Sequence, residues 1–246
     1  MTGRGGARAA MLVALVALVV PVGAASATTG TWSMASRFAR EVTRPGDRDL
    51  RPSHIEHVRE LQYRLRWLGL FPARVNGVFG TSTGTGVKAF QDKVGLPTNG
   101  SATHATWAAL IKATIRRPAR IPAGCHASGW HACYDRWRHQ LTLFHHGVLR
   151  NAWLVRGGKR GEVTRVGRFV VFRRYRHHVS SLPGHAAMPY SQFFSGGEAI
   201  HGSRRMVDPF SGHSHGCINM YLKDARQLWR LTHTHRLIVH VYGRWS

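Results

Sequence analysis

The chain has 246 residues, 43% of them hydrophobic, with 35 Lys+Arg against 11 Asp+Glu and a formal net charge of +24. That length and apolar content can bury one large core or two smaller ones, which excludes a globally disordered chain. A field of this sign attracts polyanions, and the competing reading of the charge is a solvated surface rich in arginine.

The first 27 residues have the layout of an export signal: Arg4 and Arg8, an apolar run from Ala9 to Val20, Pro21, and a small-residue cleavage site at Ala25-Ser26-Ala27. The apolar run is short for a bilayer span, and no cysteine follows the cleavage site to take a lipid. The mature protein is expected outside the cytoplasmic membrane, in the periplasm or cell wall, as a monomer with no stable membrane anchor. Without the two leader arginines its charge falls from +24 to +22. The nearest polyanion is then an anionic envelope polymer. Nucleic acid has no recognisable motif to support it.

Residues 28–52 lack clear periodicity, carry Pro45, Gly46 and Pro52, and read as a weakly ordered linker. A helical domain is expected over residues 53–115. Val58, Leu61, Leu65 and Leu68 recur at helical spacing, with Ser53 as N-cap and Gly69 as stop. A second helix runs from about Thr83 to Val94, and a third from Thr103 to Ala113. Asn76-Gly77 and Asn99-Gly100 supply the turns, and no internal repeat is visible. Such a three-helix bundle is small but able to fold.

This stretch resembles the helical peptidoglycan-binding domain found beside many wall enzymes. The resemblance rests on Val58-Arg59-Glu60-Leu61-Gln62, Leu68-Gly69-Leu70, Val75-Asn76-Gly77-Val78-Phe79-Gly80, Val87-Lys88-Ala89-Phe90-Gln91 and Thr106-Trp107. It implies glycan binding. Asn76 stands where the family usually has Asp. Gly84 and Gly86 stand where helix formers are usual, and each is expected to loosen the second helix by roughly 0.5–1 kcal/mol.

Residues 116–124 read as a second linker, and residues 125–244 as a mainly β domain. Gln140 to Phe144 and Ala152 to Val155 are β-rich runs flanking a His146-Gly147 hairpin turn. Gly167 to Phe172, Ala199 to His201 and Leu237 to Tyr242 are further strands. One helix is expected at Leu222 to Leu231.

Three cysteines in an oxidising compartment suggest one disulfide and one leftover thiol. Cys125 and Cys133 lie close together across Gly129 and form the natural pair, which leaves Cys217 free. An unpaired thiol in an exported protein points to chemistry. Cys217 lies in Ser214-His215-Gly216-Cys217-Ile218-Asn219, downstream of Ile200-His201-Gly202-Ser203. A thiol nucleophile needs a base, two donors for a developing oxyanion, and tight backbone. His201 or His215 would serve as base, and the N–H groups of Gly216 and Cys217 as donors. In an extended strand His215 would point the same way as Cys217. The residues alone leave the roles of the two histidines open. His177-His178 and His233-Thr234-His235 read as surface residues.

The pattern His201-Gly202 … Ser214-His215-Gly216-Cys217-Ile218-Asn219 resembles the signature of the L,D-transpeptidase catalytic domain, also called YkuD-type. Met188-Pro189-Tyr190, Phe193-Phe194, Gly196-Gly197 and Gly167-Arg168-Phe169 add support. The resemblance implies a multidomain α + β protein with a small three-helix bundle followed by a β-sandwich-like catalytic domain. It implies Cys217 as nucleophile, His201 as proton acceptor and donor, and His215, Gly216, Ser214 and Asn219 as site-shaping residues. Tyr190, Gly202 and Ser203 would border the substrate pocket. The implied reaction cuts a peptidoglycan stem peptide, holds it as a thioester and passes it to an amine, with neither metal nor other cofactor. Arg165 replaces the proline usual in the family's Thr-Pro-x-Gly, which frees that turn.

Two enzymatic alternatives remain. An L,D-carboxypeptidase or endopeptidase of the same fold would use the same acyl-enzyme. A zinc-dependent wall hydrolase would use His213-x-His215 beside Cys217, with Asp208 as the nearby acid. A non-catalytic wall-binding protein would keep its role without Cys217.

Overall fold

The computed structural model describes residues 1–2, 36–115 and 121–245. Past residue 2 the expected export signal lies outside the described residues, as do 28–35 and 116–120 of the two expected linkers.

The helical part consists of α1 (Val58–Trp67), α2 (Thr81–Lys93) and α3 (His104–Ala113). Its core gathers Val58, Leu61, Leu65, Phe79, Val87, Phe90, Trp107 and Leu110, the apolar faces that the helical spacing marks. Ser53 does not cap α1. His57 holds the N-cap position in left-handed backbone, φ 56°, with no side-chain cap. The Asp49 carboxylate takes the otherwise orphaned N–H groups instead, accepting from Glu56, Val58 and Arg59 at 2.9, 3.2 and 2.7 Å. Gly69, φ 74°, turns the chain after α1 as expected.

A repeated device, invisible in the sequence, builds the two turns. The Gln62 side chain donates to Asn76 Oδ1, the Val78 carbonyl and Thr83 Oγ1, while its own oxygen accepts from the N–H groups of Asn76 and Gly77. Gln91 likewise donates to Asn99 Oδ1, the Ser101 carbonyl and Thr106 Oγ1, and accepts from the Gly100 N–H. A buried glutamine thus clamps each Asn-Gly turn to the start of the next helix. Eight to twenty-one residues separate each glutamine from its partners, so no short-range sequence pattern announces the clamp.

The two α2 glycines differ. A Cβ on Gly86 would lie 2.5 Å from the Leu70 carbonyl oxygen, so close packing requires glycine there, whereas one on Gly84 would meet only Phe79 Cε1 at 3.7 Å. Gly84→Ala should therefore stabilise the protein by roughly 0.5–1 kcal/mol, and Gly86→Ala should destabilise it. Paired thermal melts will show opposite signs; a shared sign would contradict this packing.

Residues 36–52 are not a loose linker. Phe38, Arg40, Thr43 and Asp49 are all buried, Phe38 N–H bonds the Arg150 carbonyl, and Thr43 pairs with Ala102 as a β-bridge. The segment lies between bundle and β domain, where polar side chains find partners that its composition does not reveal.

The β domain has two sheets. The first runs β3-β2-β1-β9-β4, with β1 Trp130–Asp135, β2 Gln140–His145, β3 Val148–Leu154, β4 Gly167–Val170 and β9 Leu237–Tyr242; the second runs β5-β6-β7-β8, with β5 Arg173–Tyr175, β6 Ser191–Ser195, β7 Glu198–Gly202 and β8 Ile218–Met220. Helix α4 (Leu222–Thr232) adds Ala225 and Leu228 to a shared core with Tyr134, Leu143, Trp153, Phe194, Ile200, Ile218 and Val239. Strand β1, central to its sheet, follows a short 3-10 helix at Ala123–His126. A disulfide joins that helix to β1 through Cys125 and Cys133, Cα atoms 6.2 Å apart.

Bundle and β domain share a polar seam. Glu60 on α1 is completely buried between Arg40 (Nη2 to Oε1, 3.0 Å) and Arg64 (Nη2 to Oε1, 2.8 Å). Both arginines also donate to the Ala152 carbonyl on β3. Beside them, His57 lies between Asp224 of α4 and Glu41, each at 3.1 Å. Burial disfavours the imidazolium, but the charges of Asp224 and Glu41 outweigh it and raise the His57 pKa well above its ordinary 6.5. A raised folded-state pKa contributes stability that is complete below about 6.5, the unfolded value, and is lost as pH rises through the folded value. His57→Gln should therefore flatten stability against pH on the alkaline side, as read from denaturant midpoints between pH 6 and 10.

Candidate active site

Two parallel strands assemble the site. Strand β7 pairs with β8 in the register Ile200↔Ile218, His201↔Asn219, Gly202↔Met220. Parallel pairing needs a crossover, so the loop from Ser203 to Cys217 is returned to the same end of the sheet. His201, buried at 7% exposure, and Cys217, half-buried, thereby line one cleft of about 640 Å³.

Local hydrogen bonds fix the loop. Asn219 exchanges two backbone bonds with Arg156, at 2.7 and 2.9 Å. Ser214 forms a bridge with Gly158, and its hydroxyl donates to the Cys217 carbonyl at 2.5 Å. Gly216 has φ 105°, and a Cβ there would lie 3.1 Å from Glu198 Oε1. A side chain on Gly158 would collide with the Glu162 carbonyl oxygen and approach Gly216 Cα to 2.9 Å. Glycine is required at both positions for the backbone to reach the cleft this closely.

The His201 tautomer follows from its partner. His201 Nδ1 lies 2.8 Å from the Gly202 carbonyl oxygen, which can only accept, so Nδ1 carries the proton and Nε2 of the neutral ring is the basic nitrogen. Burial lowers the His201 pKa to about 4, and the charges of His178 and Arg156 act in the same direction against the Gly202 bond. Burial raises the Cys217 thiol to about 11, with the Glu198 charge adding to it and the Ala199 N–H opposing. Thiol and imidazole are therefore both neutral across ordinary pH. The thiol lies 3.9 Å from the Gly197 carbonyl oxygen.

The other sequence expectations fare unevenly. Ser203 lines the cleft, and its Oγ accepts the Arg205 N–H. Gly202 lies behind the cleft, where a Cβ would meet Leu222 Cδ2 at 3.0 Å. Tyr190, φ 60°, does not cover the cleft; it packs toward the core with its ring 6.2 Å from that of Trp229. Met188, two residues earlier, lines the cleft in its place. His215 lies on the rim, its side chain 59% exposed and 4.0 Å from Glu162. It follows a loop rather than a strand, because the left-handed Gly216 breaks the alternation.

His178 is not a plain surface residue. It lines the cleft, stacks on Tyr175 at 5.2 Å and meets Phe193 edge-on at 5.1 Å. His177 is exposed, as are His233 and His235. Glu198 and Arg156 were not marked by the motif, since both reach the cleft only through sheet pairing. His213 and His215 are both exposed. Among the described residues, the groups with three potential metal-ligating atoms in reach of one another are Cys125/Cys133/His240 and His57/Glu60/Asp224, both away from Cys217. The first is closed by the disulfide and the second by its own ion pairs.

Residues 130–240 match the L,D-transpeptidase catalytic domain. That domain belongs to the L,D-transpeptidase family. Residues 55–110, ahead of the L,D-transpeptidase domain, match a peptidoglycan binding domain. A spore cortex-lytic enzyme of Bacillus cereus is 46% identical over 59 residues, which is 24% of this chain and 23% of that protein. The chain thus spans less than a quarter of the length of the curated relatives it matches. The crystal structure of an L,D-transpeptidase from Stackebrandtia nassauensis superposes with a TM-score of 0.52 at 23% identity, over 86% of this chain and 98% of that one. The likeness is one of fold and extends over most of both chains.

Proposed function

We propose that this protein is an exported peptidoglycan L,D-transpeptidase that forms or remodels wall cross-links through a Cys217 thioester. The observation that carries the reading is the His201–Gly202 hydrogen bond, which leaves His201 Nε2 as a base in the cleft that holds the free thiol.

In acylation, Cys217 Sγ bonds to the carbonyl carbon of a stem peptide as its proton passes to His201 Nε2. The N–H groups of Gly216 and Cys217 are the donors for the resulting oxyanion. Collapse breaks the C–N bond; the leaving amine takes the proton from His201 and departs. An acceptor amine then gives a proton to the same nitrogen, attacks the thioester and releases the thiol, which recovers that proton. Water in the acceptor's place gives the carboxypeptidase outcome from the same thioester. The Cys125–Cys133 disulfide suits an oxidising extracytoplasmic compartment, and the bundle is read as holding the enzyme on peptidoglycan.

Intact-protein mass spectrometry with a carbapenem tests the nucleophile. Acylation of the wild type should add the mass of one drug molecule, and none should appear on Cys217→Ala. An adduct that persists in the variant would refute the assignment.

A neutral pair also has a pH signature. With His201 at about 4 and Cys217 at about 11, kcat/KM should be flat through the neutral range, fall toward about pH 4 as the base is protonated, and change again only near pH 11. Alkylation of Cys217 by iodoacetamide should climb steadily toward alkaline pH. A plateau reached below pH 7 would instead mean a stable thiolate–imidazolium pair.

A further inference from the structure

A second cavity, of about 690 Å³, lies against the catalytic cleft and shares two residues with it, Arg156 and Arg205. Its other wall comes from the bundle: Arg59 on α1, then Arg74 and Asn76 in the turn clamped by Gln62. The cavity thus runs from the peptidoglycan binding domain to the rim of the site that holds Cys217.

Its charge is one-sided. Four arginines face a single carboxylate, Asp208. Asp208 is already engaged, accepting from the Tyr63 hydroxyl at 3.0 Å and from the Phe210 N–H at 2.9 Å, with Arg59 Nε at 3.9 Å. Arg59 is also tied, donating to the Asp49 carbonyl at 2.8 Å. Arg74 and Arg205 are exposed and their guanidinium groups make no hydrogen bond or ion pair among the described residues. Arg156 is the telling one. It is 8% exposed, one Nη donates to the Ser211 carbonyl at 2.8 Å, and its buried Nε has no partner. A buried guanidinium with an unmatched donor costs free energy unless something completes it.

We propose that this groove binds a carboxylate-bearing arm of the wall peptide, with Arg156, Arg205 and Arg74 as the receiving side chains. The proposal rests on the transpeptidase reading and adds a subsite to it. Guanidinium forks match carboxylates bidentately, and the two shared arginines put the anion next to the acyl-transfer cleft, within the reach of a single stem peptide. An isolated phosphate polymer would satisfy the charge but has no reason to continue into a peptide cleft.

The test is equilibrium binding to the full-length Cys217→Ala protein, which removes turnover from the reading. Two synthetic stem peptides are compared, identical except that their side carboxylates are free or amidated. The free acid should bind about tenfold more tightly, and Arg74→Gln/Arg205→Gln should bring the two peptides to equal affinity while thermal melting confirms the fold. Raised salt should weaken the free acid selectively. Equal affinities in the parent protein would overturn the proposal, as would discrimination that survives the double substitution. Displacement of both peptides alike by a poly(glycerol phosphate) oligomer, with no preference for the acid, would assign the groove to phosphate polymers instead and also overturn it. Acylation of wild-type Cys217 by the same peptides is a separate measurement, so failure of the transpeptidase reading and failure of the subsite are distinguished.

Discussion

Cys217→Ala should reduce transfer of a stem peptide to an acceptor amine by at least about 10⁴-fold, to the level set by binding alone. His201→Ala should be nearly as damaging, since with the thiol held at about 11 there is almost no thiolate to act without a base. The two losses should not add. In the proposed mechanism thiol and imidazole share one proton transfer, so Cys217→Ala/His201→Ala should be little worse than Cys217→Ala. Single-turnover assays of all three variants, with muropeptide products resolved by mass, measure this. Activity surviving in Cys217→Ala but lost to a chelator would replace the cysteine mechanism with metal-assisted hydrolysis.

Glu60→Ala should be the most damaging substitution away from the cleft, costing roughly 3–5 kcal/mol. Burial opposes ionisation of Glu60, yet the charges of Arg40, Arg64 and His57 overcome it and bring its pKa down to about 2. Without Glu60, two completely buried guanidinium groups lose their counter-charge. A loss of that size in a chain of this length lowers Tm by roughly 10 °C. The acid side reports on the same group. With a folded-state pKa of about 2 against an ordinary 4.5, its contribution is complete above about pH 4.5 and lost as pH falls toward 2. Replacing Arg40, Glu60 and Arg64 together by apolar residues should recover only part of the stability, because the Ala152 carbonyl then loses both of its side-chain donors. A Glu60→Ala protein with unchanged Tm would mean that the seam is solvated.

Periodicity made the bundle legible. The residues at positions 58, 61 and 65 that define an apolar stripe do form its core, because a helix can bury such a stripe in only one way. Hairpin β2–β3 was equally local, since His146 and Gly147 both adopt positive φ in the turn between them. Strand β1 was not legible. Its residues Trp130-His131-Ala132-Cys133 show no clean alternation, because the strand is central and covered on both faces. Segment 36–52 reads as a linker for a related reason: its polar and charged side chains resemble a solvated stretch, and only the buried partners of Arg40, Glu60 on α1 and Asn151 on β3, reveal otherwise.

The same division holds at the site. The sequence by itself supplied the candidate types, a cysteine left over from the Cys125–Cys133 pair with His201 and His215 as possible bases among glycines, because thiol acyl transfer demands those residue types whatever surrounds them, and the family resemblance singled out His201. Only the tertiary structure decided which nitrogen of His201 carries the proton, that burial pushes the imidazole down and the thiol up, that His178, Glu198 and Arg156 line the same cleft, and that Tyr190 does not. Protonation states and cleft membership depend on burial and on strand pairing between distant segments, and neither is encoded in the spacing of a short motif.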